Sequence, residues 1–178
     1  FKVLKEEFGL NLKSYKYFAG HSLGEYSALV CAESLNFSDA VYLLSERGKA
    51  MQNAVQVGEG LMIAVLGLQT NEIQNLIDLR ENKKGVCEIA NDNADGQVIV
   101  SGDKISVSNF QNLLKQKKIK SIPLKDSAPF HCLLMNPAAE NMNKKIQDTN
   151  FNKPKIKIVS NVTANPEEEI TTIKKLLT

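Results

Sequence analysis

The sequence predicts an α/β protein carrying one inserted subdomain, and three observations support that expectation. Strand-like apolar runs alternate with helix-like stretches along the 178 residues. From residue 60 to 125 the order becomes β-α-β-β-α-β, with turns of its own. A short strand over 15–19 leads directly into AGHSLGEYSAL, where a serine stands between two glycines just before a helical stretch.

Hydrophobic residues make up 43% of the chain and charged residues 24%, a globular composition with material for a core. Lysine and arginine total 22 against 20 acids, and the net charge of +2 argues against nucleic acid and against a polybasic membrane patch. No apolar run is long enough to cross a bilayer, and no secretory segment is expected. Cys31, Cys87 and Cys132 form no CxxC pair, so neither a disulfide framework nor a zinc site is expected, and a reducing, cytoplasmic compartment is the default.

Taken in order, residues 2–10 read as a helix closing at Gly9, and YKYFA as a strand. LGEYSALVCAES follows as a mostly buried helix of small and apolar residues. Asn36-Phe37-Ser38-Asp39 carries an N-cap signal for a second helix, with its stripe through positions 41, 44, 48 and 51 and its end near Gly58-Glu59-Gly60. LMIAVLGL is a strand, and NEIQNLIDLR a helix with Ile73, Leu76, Ile77 and Leu79 on one side. VCEIAND and QVIVSGD are strands joined by the turn-rich NADG, KISVSNFQNLLKQKK is a helix, and KSIPLK a last strand. That split βαβ pattern makes residues 60–125 a ferredoxin-like insert, leaving 1–59 and 126–178 for the larger subdomain. Beyond it, a helix is expected from His131 or Cys132, KIKIVSNVTA as a strand, and a final helix at Asn165-Pro166-Glu167-Glu168-Glu169, with a cap, a proline at N1 and acids in the first turn.

A G-x-S-x-G pattern means a nucleophile only in the context strand, sharp turn, helix, and that context is present around Ser22. The glycines two residues either side permit close approach of strand and helix. The Leu23 amide, at the helix N-terminus, can donate to a developing oxyanion. A plain tight turn is the competing reading. His21 and His131 are the two histidines; neighbours on a tight turn diverge, which leaves His131 as the natural general base for Ser22. Arg47 lies on the apolar stripe of the second helix. It either snorkels from the edge of that stripe or is a half-buried guanidinium suited to a carboxylate. Serine, histidine and a carboxylate clamp together suggest acyl transfer from a substrate with a free carboxylate.

Four ordered stretches, GHSLGEYSAL, SERGKAMQ, IANDNADGQVIVSG and SAPFHCLLMNPA, resemble the malonyl-CoA:acyl carrier protein transacylase family and its relatives in polyketide synthesis. The likeness runs along nearly the whole chain. It implies an α/β-hydrolase-like parallel-sheet subdomain with a ferredoxin-like insert, and a ping-pong reaction through a malonyl-serine at Ser22 with His131 as base. It implies that Arg47 pairs with the malonyl carboxylate, and that Phe130 stands where an aromatic accompanies malonyl over bulkier acyl groups. Asn91, Asn93 and Gln97 match polar positions lining the cleft, with turn chemistry as their other reading. Acyl carrier protein is the implied partner and malonyl-CoA the substrate; no metal or tightly bound cofactor is called for. The chain opens on Phe1 and lacks the family's N-terminal glycine- and glutamine-rich motif and its C-terminal part, so truncation at both ends is expected. Two other readings stay open. One is a serine esterase or thioesterase, whose acid would be sought among Asp92, Asp95, Asp103 and Asp126, and the other an inactive remnant of the transferase.

Overall fold

The computed structural model describes residues 1–80, 83–125 and 128–178, the side chain of Lys13 excepted. Two compact units emerge, Phe1–Gly48 with Glu140–Thr178, and Lys49–Ala139.

In the first unit, helix α1 (Lys2–Glu6) ends before Gly9, whose φ of +65° turns the chain toward strand β1 (Tyr17–Ala19). Helix α2 (Gly24–Cys31) follows at once and buries Glu25, Tyr26, Ala28 and Leu29. Helix α3 (Phe37–Ala54) begins after Asn36 and buries Ala40 and Leu43. The inward stripe therefore runs through 40, 43 and half-buried 47. The expected register through 41 and 48 is wrong: Val41 is 50% exposed and Gly48 is exposed too, because 3.6-residue periodicity carries the Leu43 face to Arg47.

Strand β6 (Lys157–Val159) lies parallel to β1, with Tyr17 opposite Lys157 and Ala19 opposite Val159. Strand β7 (Pro166–Glu167) pairs antiparallel with β6, giving the order β1-β6-β7. This corrects the expected helix start at Asn165: the proline occupies a sheet edge, where its missing N–H costs nothing. Helix α7 (Ile170–Leu176) begins only after Glu169. The end of α2 is fastened to the 152–155 segment, where the Ser34 hydroxyl donates to the Asn152 carbonyl at 2.6 Å and the Lys155 amide to that of Ala32 at 2.9 Å.

The second unit centres on a four-stranded sheet. Strand β2 (Gly60–Leu66) pairs antiparallel along its whole length with β4 (Gln97–Asp103). Strands β3 (Cys87–Ala94) and β5 (Ser121–Pro123) complete the order β3-β4-β2-β5. Successive residues of a strand face opposite ways, and both faces here are apolar. Ile63, Val65, Val98 and Val100 pack with Ile73 and Ile77 of helix α4 (Thr70–Asp78) and Val107, Phe110 and Leu114 of helix α5 (Lys104–Gln116). Each such aliphatic side chain contributes about 1.5–3 kcal/mol when fully buried. The other face carries Met62, Ala64 and Ile99, with Ala90, Leu124 and Phe130 against it. Leu79, expected on the inner side of α4, is instead its C-cap residue and 67% exposed.

Asp103 caps α5, accepting from the Ser106 amide at 2.8 Å and the Val86 amide at 2.6 Å. After a 3₁₀ turn at Leu133–Met135, helix α6 (Asn136–Asp148) runs on into the first unit. Among the described residues no helix is long and apolar enough to cross a membrane.

Candidate active site

Ser22 has φ +51°, a left-handed conformation that costs a side-chain-bearing residue roughly 1–2 kcal/mol. It stands between β1 and α2, on a turn closed by the Gly24 amide donating to His21 at 2.8 Å and the Glu25 amide to Ser22 at 3.1 Å. Gly20 explains why strand and helix can approach so closely: a Cβ there would lie 2.0 Å from the Gly24 carbonyl oxygen. Gly24, by contrast, has open space where its own Cβ would go, so only the first of the two glycines is demanded by contact. Leu23 is the N-cap residue of α2, and its N–H precedes the first that the helix can satisfy internally.

Arg47 reaches the turn from α3. Its Nη2 donates to Ser22 Oγ at 3.1 Å, and the guanidinium is half-buried. A cation therefore sits beside the hydroxyl, in position to meet an anionic group carried by whatever bonds to that oxygen. His21 is exposed.

Sequence reasoning missed two residues that complete this turn. Asn161, just beyond β6, accepts from the Ser22 amide through Oδ1 at 2.8 Å and donates through Nδ2 to the Gly20 carbonyl at 2.8 Å. The same Nδ2 donates to Glu25 Oε2 at 2.6 Å, and the Asn161 amide to that oxygen at 3.3 Å. Glu25 is only 5% exposed. Burial pushes its carboxyl above the usual range, opposed by the Asn161 hydrogen bonds and the Arg47 charge. The readable signal was Asn161 itself, a polar residue at the C-terminal end of a parallel strand.

His131 belongs to the second unit and has φ +58°. The expected helix does not start there: the residue occupies a turn ahead of the 3₁₀ segment, and the helix begins five positions later at Asn136. Neighbouring contacts pin that turn to the sheet. Pro129 is packed where a Cβ on Gly60 would strike its ring, Phe130 is half-buried on the apolar face, and the Leu133 amide donates to Glu88 Oε2 at 2.9 Å. Asn91 is half-buried within β3, opposite Ile99, while Asn93 and Gln97 are exposed near the end of the β3–β4 hairpin. Asn91 and Asn93 are strand residues, with shifts of register between Ile89 and Asn91 and between Asp92 and Ala94; the turn itself is Asp95–Gly96. Of the acids considered for a hydrolase, Asp126 lies outside the described residues, and Asp103 is engaged as a helix cap.

The acyl transferase domain family matches residues 10–175, a span that holds the serine turn, the arginine and the histidine turn. The chain belongs to that family. Among relatives of this acyl transferase domain, the malonyl CoA-acyl carrier protein transacylase of Haemophilus influenzae is 42% identical over 178 residues, covering 99% of this chain and 56% of that protein. The Bacillus subtilis protein of the same name is 40% identical and covered to 51%. In structure, the acyl-carrier-protein-S-malonyltransferase of Bartonella henselae superimposes with a TM-score of 0.92 at 40% identity, over 98% of this chain and 56% of that one. A malonyl-transacylase solved in complex with a type II polyketide acyl-carrier protein gives 0.92 at 35% identity, over 99% and 56%. The acyl transferase chain thus spans about half the length of these relatives.

Proposed function

We propose that the chain provides the reacting core of a malonyl-CoA:acyl carrier protein transacylase. The observation that carries this reading is the Arg47 guanidinium donating to Ser22 Oγ at 3.1 Å. In the first half-reaction Ser22 Oγ attacks the malonyl thioester carbon while His131 takes the hydroxyl proton. The Leu23 amide receives the negative charge that develops on the carbonyl oxygen. The C–S bond then breaks, and coenzyme A leaves as the thiol with the proton returned by His131. In the second half-reaction the phosphopantetheine thiol of acyl carrier protein gives its proton to His131 and attacks the malonyl ester. The bond to Ser22 breaks and the hydroxyl is restored.

Arg47 holds the malonyl carboxylate through both steps, in the two-pronged geometry a guanidinium offers an anion. Phe130 limits the acyl group to malonyl over bulkier branched groups, and Asn91, Asn93 and Gln97 line the cleft. The architecture that goes with this reading is an α/β-hydrolase-like subdomain over 1–59 and 126–178, with a ferredoxin-like insert over 60–125. The strand order β3-β4-β2-β5 with two helices on one face supports the insert. The relatives' names support both substrate and partner. A bacterial cytoplasm or an organelle matrix would house such chemistry.

Intact-mass spectrometry after mixing the purified chain with malonyl-CoA tests the reading. A malonyl adduct mapping to Ser22 and absent from Ser22→Ala is expected; an adduct that survives Ser22→Ala removes the serine from its role. Arg47→Ala should slow malonyl loading by roughly tenfold or more, the scale of a charge-assisted contact of 1.5–3 kcal/mol, while sparing acetyl loading. Equal losses for both acyl groups would make Arg47 structural.

A further inference from the structure

The strained turn at Ser22 needs something to hold it, since a non-glycine residue stays in the left-handed region only where its surroundings over-determine it. The two turn hydrogen bonds to His21 and Ser22 carbonyls fasten the start of α2. The first of them holds the His21–Ser22 peptide by its oxygen, and Asn161 holds that same peptide by its N–H and the preceding one by its oxygen. The Asn161 side-chain amide brackets the turn, with Oδ1 on the Ser22 N–H at 2.8 Å and Nδ2 on the Gly20 carbonyl at 2.8 Å. The β1–β6 register makes this possible, because Ala19 faces Val159 and the next residues of both strands leave the sheet side by side.

Only one orientation of the Asn161 side chain satisfies its neighbours. Turned over, its NH₂ would meet the Ser22 N–H, and its oxygen would meet a carbonyl and a carboxylate. Glu25 enforces that orientation by accepting Nδ2 at 2.6 Å, and it also takes the Asn161 backbone amide at 3.3 Å. A carboxyl group on a residue only 5% exposed is costly unless its lone pairs are met, and Asn161 meets those of Oε2.

Resting on the reading of Ser22 as nucleophile, we infer that Asn161 and Glu25 are positioning residues that lock the Ser22 backbone so that Oγ and the Leu23 amide keep their mutual geometry. Neither touches the acyl group. Their effect on rate comes through the serine, where misplacement by about 1 Å can cost on the order of 10²-fold.

The test measures covalent labelling of Ser22 by a fluorophosphonate, alongside affinity for coenzyme A and thermal melting. Asn161→Ala and Asn161→Asp should each slow labelling at least tenfold while the dissociation constant for coenzyme A stays within about twofold. The aspartate variant is nearly isosteric, yet it sets a second carboxylate against Glu25 and so forfeits the contact. Adding Glu25→Gln to Asn161→Asp removes the repulsion between two carboxylates and returns one hydrogen bond across the pair, while the aspartate oxygen still opposes the Gly20 carbonyl. Labelling should recover at least threefold over Asn161→Asp alone and stay below the wild-type rate. That recovery is the signature a merely structural asparagine would not give, and it decides the question even where the alanine variant fails to fold. Labelling of the Asn161 variants at the wild-type rate, or a double variant no faster than Asn161→Asp, overturns the inference. Fluorophosphonate labelling needs no malonyl group. A wild-type chain that labels at Ser22 but takes no malonyl therefore overturns the transacylase reading and leaves the clamp standing.

Discussion

Gly20→Ala would place a methyl 2.0 Å from the Gly24 carbonyl oxygen, and that obstacle is backbone, which cannot swing aside as a side chain does. The variant must part β1 from α2. Loss of at least 2 kcal/mol in denaturant unfolding and of Ser22 labelling by fluorophosphonate is expected, in the range of strained or overpacked sites. Gly24→Ala serves as the contrast, since its Cβ would meet nothing within 4 Å. It should keep its stability within about 1 kcal/mol and gain helix propensity. Unchanged labelling in Gly20→Ala would show that strand and helix can separate without moving the serine. At this scale the sequence was readable where chemistry demands one residue type. Ser22, with glycine two positions before it and a helix behind it, could be singled out as a candidate, with a plain tight turn as the competing reading. The pairing of Glu25 with Asn161 could not be read, because it spans 136 positions and depends on strand register. A buried glutamate in an otherwise small and apolar helix looks, in the sequence, like any surface acid.

Helix α1 is fastened through Glu33, which lies just past α2 and receives Lys155 and Lys5. Hydrogen bonds from Lys155 and then Lys5 bring its carboxyl from an ordinary 4.5 down to about 2. A lowered carboxyl binds protons less readily in the folded chain than in the unfolded one. Its contribution is therefore complete above about 4.5 and fades as pH falls toward about 2. The stability difference between wild type and Glu33→Gln, followed by denaturant titration, should shrink across that window. It should shrink further in high salt, because the pair is largely solvent-exposed. A difference independent of pH would mean that Glu33 acts through packing. Elements were legible wherever periodicity was unbroken, as in β2, α4, β4 and α5. They failed where proline or a short loop interrupts it. Pro166 carries every sign of a helix start yet sits in β7, because an antiparallel neighbour was available and the cap signal counts only local residues. The turn at His131 failed for the related reason that its anchors are Gly60 and Glu88, far away in sequence.

Across the whole molecule, two side-chain-bearing residues with proposed roles in the reaction, Ser22 and His131, share a backbone conformation that glycine accepts most readily, with φ of +51° and +58°. Among the described residues the other left-handed positions of this kind are Glu33, Lys118 and Ala164, which end helices or close turns. Ser22→Gly and His131→Gly should melt at or above the wild-type temperature, with relief of up to about 1 kcal/mol each, and yield no malonyl adduct. A fall of several degrees in both would show that the serine and histidine side chains make contacts that outweigh the backbone strain they carry. The wider consequence concerns what selection sees. A library of this chain sorted for folding or expression alone would drift toward glycine at these two positions, and its most durable members would lack both side chains proposed for the reaction. Retaining Ser22 and His131 therefore requires pressure on turnover at every round, since the fold by itself supplies none.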